Sequence, residues 1–222
     1  MKTDLINKIN LGEYVNCYLK TNQIYIENDA FNQNELKLCL TICDDEHINE
    51  SWAIDLKGVS HYHNLLGIAY MPYFTIDLED HHPLLWDYHY DSVECELSGT
   101  QDLESKQMNE LIGELARCYQ DNTYGFINLG SNPLLTPIMA SNGNPFFSTN
   151  QKMIELTEGI FNKYKVHLLN KKIRTGKQKG WAFRPNAKVM LFRNPFIASM
   201  TTAFGQAYIV ADEISINASN DV

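Results

Sequence analysis

The sequence predicts an α+β protein, a mostly antiparallel β-sheet packed against two main α-helices. Three observations carry this reading. Residues 35–43 alternate strictly, with Leu36, Leu38, Leu40 and Ile42 on one side, and a period of two fits a half-buried strand and no helix. Further alternating segments recur through the first hundred residues, which is the pattern of an antiparallel sheet with one wet face. Two later segments switch to the 3.6-residue period of an amphipathic helix.

Taken in order, Leu5, Ile6, Ile9 and Leu11 hint at a helical face, and residues 14–19 look extended after Gly12. Residues 23–27 read as a short strand. Asp44, Asp45 and Glu46 end the strand at 35–43, and residues 51–56 alternate again through Trp52, Ile54 and Leu56 until Gly58. Ile68, Tyr70, Phe74, Ile76 and Leu78 share parity over a longer extended stretch, in which Pro72 argues for an edge position or a bulge. Val93, Cys95 and Leu97 alternate with Glu94 and Glu96.

The first main helix follows, with Leu103, Met108, Leu111, Ile112, Leu115, Cys118 and Tyr119 on one stripe. Thr100 can cap it, Asp102 and Glu104 suit the positive end of its dipole, and residues 122–125 stop it. Residues 126–147 hold Gly130, Pro133, Pro137, Gly143 and Pro145, so short extended pieces and turns are expected. A second helix is expected over 149–163, where Ser148 and Gln151 make a capping box and Ile154, Thr157, Ile160, Phe161 and Tyr164 supply the face. Strands at 166–169, 188–192 and 207–211 complete the chain, and 214–222 reads as a fraying tail.

At 222 residues and 25.5 kDa the chain fits one α+β domain over 1–222, with a subdivision possible near 125. An apolar fraction of 44% and a charged fraction of 20% exclude wholesale disorder and fibrous classes. Five cysteines make an odd number without CxxC spacing, and no export signal or 18-residue apolar run occurs. Reduced thiols and a cytoplasmic location without membrane insertion are expected. The net charge of −9 argues against a protein that grips nucleic acid with its whole surface. Phosphate-loop, dinucleotide, HExxH and GxSxG motifs are absent, and no local motif joins a nucleophile to a base.

Two features could carry function. Six of the seven histidines fall between His47 and His89. His61 and His63 would share one face of a strand, and His81, His82 or Asp91 could add a ligand for a divalent metal that activates water. Against this, Gly58 looks like the end of a strand and His82-Pro83 like a turn. A polar or structural cluster without any cofactor is the competing reading. The second feature is charge segregation. Residues 1–151 carry 7 basic and 22 acidic side chains, a net −15, whereas 152–222 carry 11 and 5, a net +6. Lys171, Lys172, Arg174, Lys177, Lys179 and Trp181 read as a mobile basic loop able to hold phosphate or nucleic acid, or as a hairpin whose charge the acidic half offsets.

Tyrosine and tryptophan crowd the histidine region, and Asp80, Trp86, Asp87, Tyr88, Tyr90 and Asp91 together could form a recognition face for a basic protein partner. The leading expectation is therefore a non-catalytic binding or regulatory protein. By composition alone it is similar to small acidic inhibitors and immunity-type proteins. A metal-dependent hydrolase using the His61–His89 cluster is the alternative, and an anion binder using residues 171–181 is the second.

Overall fold

A computed structural model describes residues 4–28, 34–44, 49–123, 135–140, 144–194 and 207–219. Along the chain run α1 (Asp4–Asn10), β1 (Tyr18–Asn28), β2 (Asn34–Cys43), β3 (Asn49–Lys57), β4 (His61–His63), β5 (Tyr70–Pro72) and β6 (Thr75–Glu79). There follow α2 (Trp86–His89), β7 (Ser92–Ser98), α3 (Ser105–Thr123), α4 (Leu135–Ala140), β8 (Phe146–Asn150), α5 (Gln151–Lys163) and β9 (His167–Arg174). The last elements are β10 (Lys188–Arg193), β11 (Ala207–Ala211) and β12 (Glu213–Ser219). The protein is a mixed α and β chain whose strands pair antiparallel among the described residues. It divides into two compact units, residues 1–82 with 186–222, and residues 83–185. The subdivision expected near 125 lies outside the described residues.

The first unit holds two sheets, ordered β12-β3-β2-β1-β5 and β4-β11-β10-β6. Alternation decides what each face does. Leu36, Leu38, Leu40 and Ile42 of β2 line up with Trp52, Ile54 and Leu56 of β3, and all are at most 4% exposed. They share one core cluster with Ile76, Met190, Phe192 and Ile209 of the second sheet. Each such side chain contributes roughly 1.5–3 kcal/mol by leaving water. Helix α1 closes this core with Leu5, which is fully buried.

The second unit is built differently. Its three-stranded sheet, ordered β8-β7-β9, buries Val93, Cys95 and Leu97. The partners in that core are Leu111, Leu115 and Tyr119 of α3 with Met153, Ile154 and Phe161 of α5. These are the two helices the sequence pattern picks out.

Several expectations are corrected. The tail over 214–222 does not fray through its first part, because β12 pairs with β3 from Glu213 to Ser219 and buries Ile214 and Ile216. The long extended stretch over 68–78 is broken by a 3-10 turn, Leu65–Ile68, and by Tyr73 at φ 51°. Met71 instead of Tyr70 faces inward in β5, and Phe74 and Ile76 return to the core after Tyr73 resets the pleat. Leu135–Ala140 is a short helix burying Leu135 and Ile138, where turns and extended pieces are expected. The cap of α5 is Asn150, which accepts from the Met153 N–H at 2.9 Å, while Ser148 stays in β8. Helix α3 starts after Glu104, whose N–H donates to Gln107 Oε1 at 3.0 Å, and Thr100 sits in a separate 3-10 turn, Thr100–Asp102.

A candidate recognition surface on the second unit

The basic segment 171–181 is strand and turn instead of an irregular loop. Residues up to Arg174 belong to β9, and Gly176–Ala182 form a 3-10 turn capped by a Thr175–Gln178 box. Two forces hold it in place. On β9, Arg174 reaches across to Glu94 at 2.5 Å, and Lys172 pairs in register with Glu94. In the turn, Gly176 at φ 47° and Gly180 at φ 61°, ψ −125° take conformations that a side chain would strain. Phe183 folds back so that its ring lies 3.8 Å from where a Cβ on Gly176 would stand.

This turn meets the segment 86–91. Lys179 Nζ donates to the carbonyl of Tyr88 at 2.8 Å and to that of Tyr90. Burial lowers the pKa of this ammonium, against the opposing charges of Asp87 and Asp91. The Arg184 guanidinium lies 6.0 Å from the centre of the Tyr88 ring. Asp87 Oδ1 accepts from Asn150 Nδ2 at 2.7 Å and so orients the amide that caps α5. The Asp91 carbonyl accepts from Gln151 N at 2.7 Å. Two sets of residues that the sequence proposes for different partners, 86–91 and 171–181, are thereby brought together.

Their roles differ from one another. Trp86 is 8% exposed and belongs to the core. Lys171 lies 3.9 Å from Glu158, so that cation and Arg174 both have acidic neighbours inside the unit. Lys172 and Lys177 are exposed, and Trp181 falls within the turn. Tyr90 and Phe183 each remain 39% exposed, and Asp87 is exposed too. Phe183 and Arg184 complete the surface and are absent from the sequence-derived set. Their only signal was an aromatic-cation pair just beyond the glycine-containing turn.

The histidines are spread out. His61 and His63 share one face of β4, as the HxH spacing implies, and both rings stack on Tyr208 of β11, with centroids at 5.9 and 5.5 Å. His81 is exposed and lies 3.5 Å from Asp80. His82 is 3% exposed, and burial together with the Arg193 charge pushes its pKa down to about 4. Arg193 itself lies 3.0 Å from Glu79 and 3.5 Å from Asp77. Asp80 and these four histidines belong to the first unit, Asp91 to the second. His47 lies outside the described residues. Among the described residues no three His, Cys, Asp or Glu side chains are grouped to hold a metal ion.

Among the described residues no helix is long and apolar enough to cross a membrane. Comparison with protein-family models, curated proteins and solved structures finds no match to the chain.

Proposed function

We propose that the chain is a non-catalytic binding protein that takes a protein partner on the surface formed by residues 86–91 and 174–184. The observation that carries this is the clamp of Lys179 on the carbonyls of Tyr88 and Tyr90. It fixes a short main-chain segment that presents Tyr90 and Asp87, while the same turn leads into Phe183 and Arg184. Tyrosine and arginine dominate interface hot spots, and a surface already ordered loses little entropy when it binds. The exposed carboxylate of Asp87 and that of Asp91 suit basic groups of the partner at this part of the surface.

The test places a photo-crosslinking amino acid at position 90 of the full chain, with position 66 of the first unit as control. Leu66 is 84% exposed. The partner recovered from position 90 is expected to bind Tyr90→Ala and Phe183→Ala about tenfold or more weakly. Equal crosslinking from position 66, with unchanged affinity for both variants, overturns the proposal.

A further inference from the structure

The outer face of the five-stranded sheet holds a groove of about 540 Å³ along β1 and β2. That volume lies within the range of small-ligand pockets. Its floor is neutral and small, with Cys39, Thr41, Cys43 and Ala53. Among the described residues, the charged side chains that line it are Lys20 and Lys37, in a protein of net charge −9. Lys37 stands 4.0 Å from Asp55, and it also borders an adjoining groove that contains Glu27, Glu35 and Asp55. Lys20 does not border that acidic groove. Lys20 pairs in register with Thr41, so it sits diagonally between Cys39 and Cys43.

The β1 ladder shifts register between Thr21 and Gln23. That irregularity turns Asn22 over the face, where its Nδ2 donates to Thr41 Oγ1 at 2.5 Å. Bulges of this kind re-aim side chains beside binding sites. Thr41 Oγ also lies 3.4 Å from Ser51 Oγ, which leaves a short polar chain directly beside the lysine. Among the described residues, arginine and a helix N-terminus, the usual holders of phosphate, do not line this groove. A single ammonium with amide and hydroxyl neighbours suits the two oxygens of a carboxylate.

We infer that this groove binds a small organic acid, with its carboxylate at Lys20 and its neutral body over Asn22, Cys39 and Thr41. The site is separate from the surface proposed for the protein partner and does not depend on it.

The two thiols on the floor report on the site. Initial alkylation rates of Cys39 and Cys43 are measured by peptide mass spectrometry with iodoacetate, an anion, and with neutral iodoacetamide. N-acetylcysteine amide in the same solution gives the reference ratio of the two reagents. The iodoacetate to iodoacetamide ratio is expected to be severalfold above that reference at Cys39 and Cys43, and to fall to it in Lys20→Gln. Cys118 on α3, which has Asp121 near it, is the in-chain control and is expected at or below the reference. Adipate is then expected to slow labelling of Cys39 and Cys43, whereas adipamide and inorganic phosphate do not. A ratio equal to the reference, or one untouched by Lys20→Gln, overturns the inference. So does protection by adipamide or phosphate equal to that by adipate. Lys20 is exposed, so its substitution leaves the core intact.

Discussion

Two lysines show how differently the two units hold a charge. Lys8 of α1 pairs with the Glu50 carboxylate at 2.9 Å, which also accepts from the Tyr14 hydroxyl at 2.8 Å. The ammonium lies 5.7 Å from the Trp52 ring centre. That hydrogen bond raises the Lys8 pKa against the effect of burial. Lys179 in the second unit has main-chain carbonyls as its hydrogen-bond acceptors, and burial lowers its pKa. Opposite charge closes a seam between helix and sheet in one case. In the other an ammonium shapes the course of a loop. The difference matters because a seam built on an ion pair responds to acid and salt, whereas a loop held through carbonyls responds to neither in the same way.

The largest expected effect comes from His82, which carries the first unit's other means of handling charge. Its ring is buried and its pKa lies at about 4 rather than 6.5. A depressed folded value means that the unfolded chain binds the proton more tightly. The stability is thus fully present above pH 6.5 and lost as pH falls towards 4. The loss amounts to about 3 kcal/mol on the usual linkage. Amide protection in β10 is expected to fall more steeply than that in β7 across this window. His82→Gln should remove the steep part, and a parallel fall in both strands, unchanged by that substitution, would refute the assignment.

Glu50 sharpens the comparison at a lower pH and a smaller size. Burial alone would raise its pKa, but hydrogen bonds from Lys8 and Tyr14 overcome this and hold it below the ordinary carboxylate range. Its contribution is present above the unfolded value of about 4.3 and lost only as pH falls further. Glu50→Gln is expected to cost about 1–2 kcal/mol, kept modest because the side chain is 40% exposed. The urea midpoint measures it, and amides of α1 should exchange faster in the variant. No change in either would show that α1 is held by the packing of Leu5, Ile6 and Ile9 alone.

The sequence made some of this visible and hid the rest for physical reasons. Strand β2 was legible because every second residue is buried, and α3 and α5 were legible because their stripes are continuous. Strand β12 carries the same signal in Ile214 and Ile216, but it is short and ends in polar residues. Strand β9 shows almost no burial pattern, since it is an edge strand whose charges face Glu94 and Glu158. Nothing local reveals pairings that span so much chain. The HxH face on β4 was readable, yet its partner Tyr208 lies far along the sequence. Trp86 looked like part of a recognition face because its neighbours are acidic, but those neighbours are oriented by the cap of α5 while the indole goes inward.

The smallest effect separates the two lysines most directly. Lys8→Met removes the cation of a half-exposed pair and leaves Glu50 with Tyr14. Lys179→Met leaves the carbonyls of Tyr88 and Tyr90 to water, while Arg184 still covers the Tyr88 ring. Each is expected to cost about 1 kcal/mol or less at low salt. High salt screens the ion pair between Lys8 and Glu50, so the cost of Lys8→Met should shrink towards zero. Hydrogen bonds from a partly buried ammonium to neutral carbonyls are screened far less, and the cost of Lys179→Met should persist. It should also come with faster amide exchange over residues 88–91, the segment that presents Tyr90. Urea midpoints of both variants at low and high salt decide the matter: if the two costs shrink together, Lys179 acts through Asp87 and Asp91 and the contrast between the units disappears.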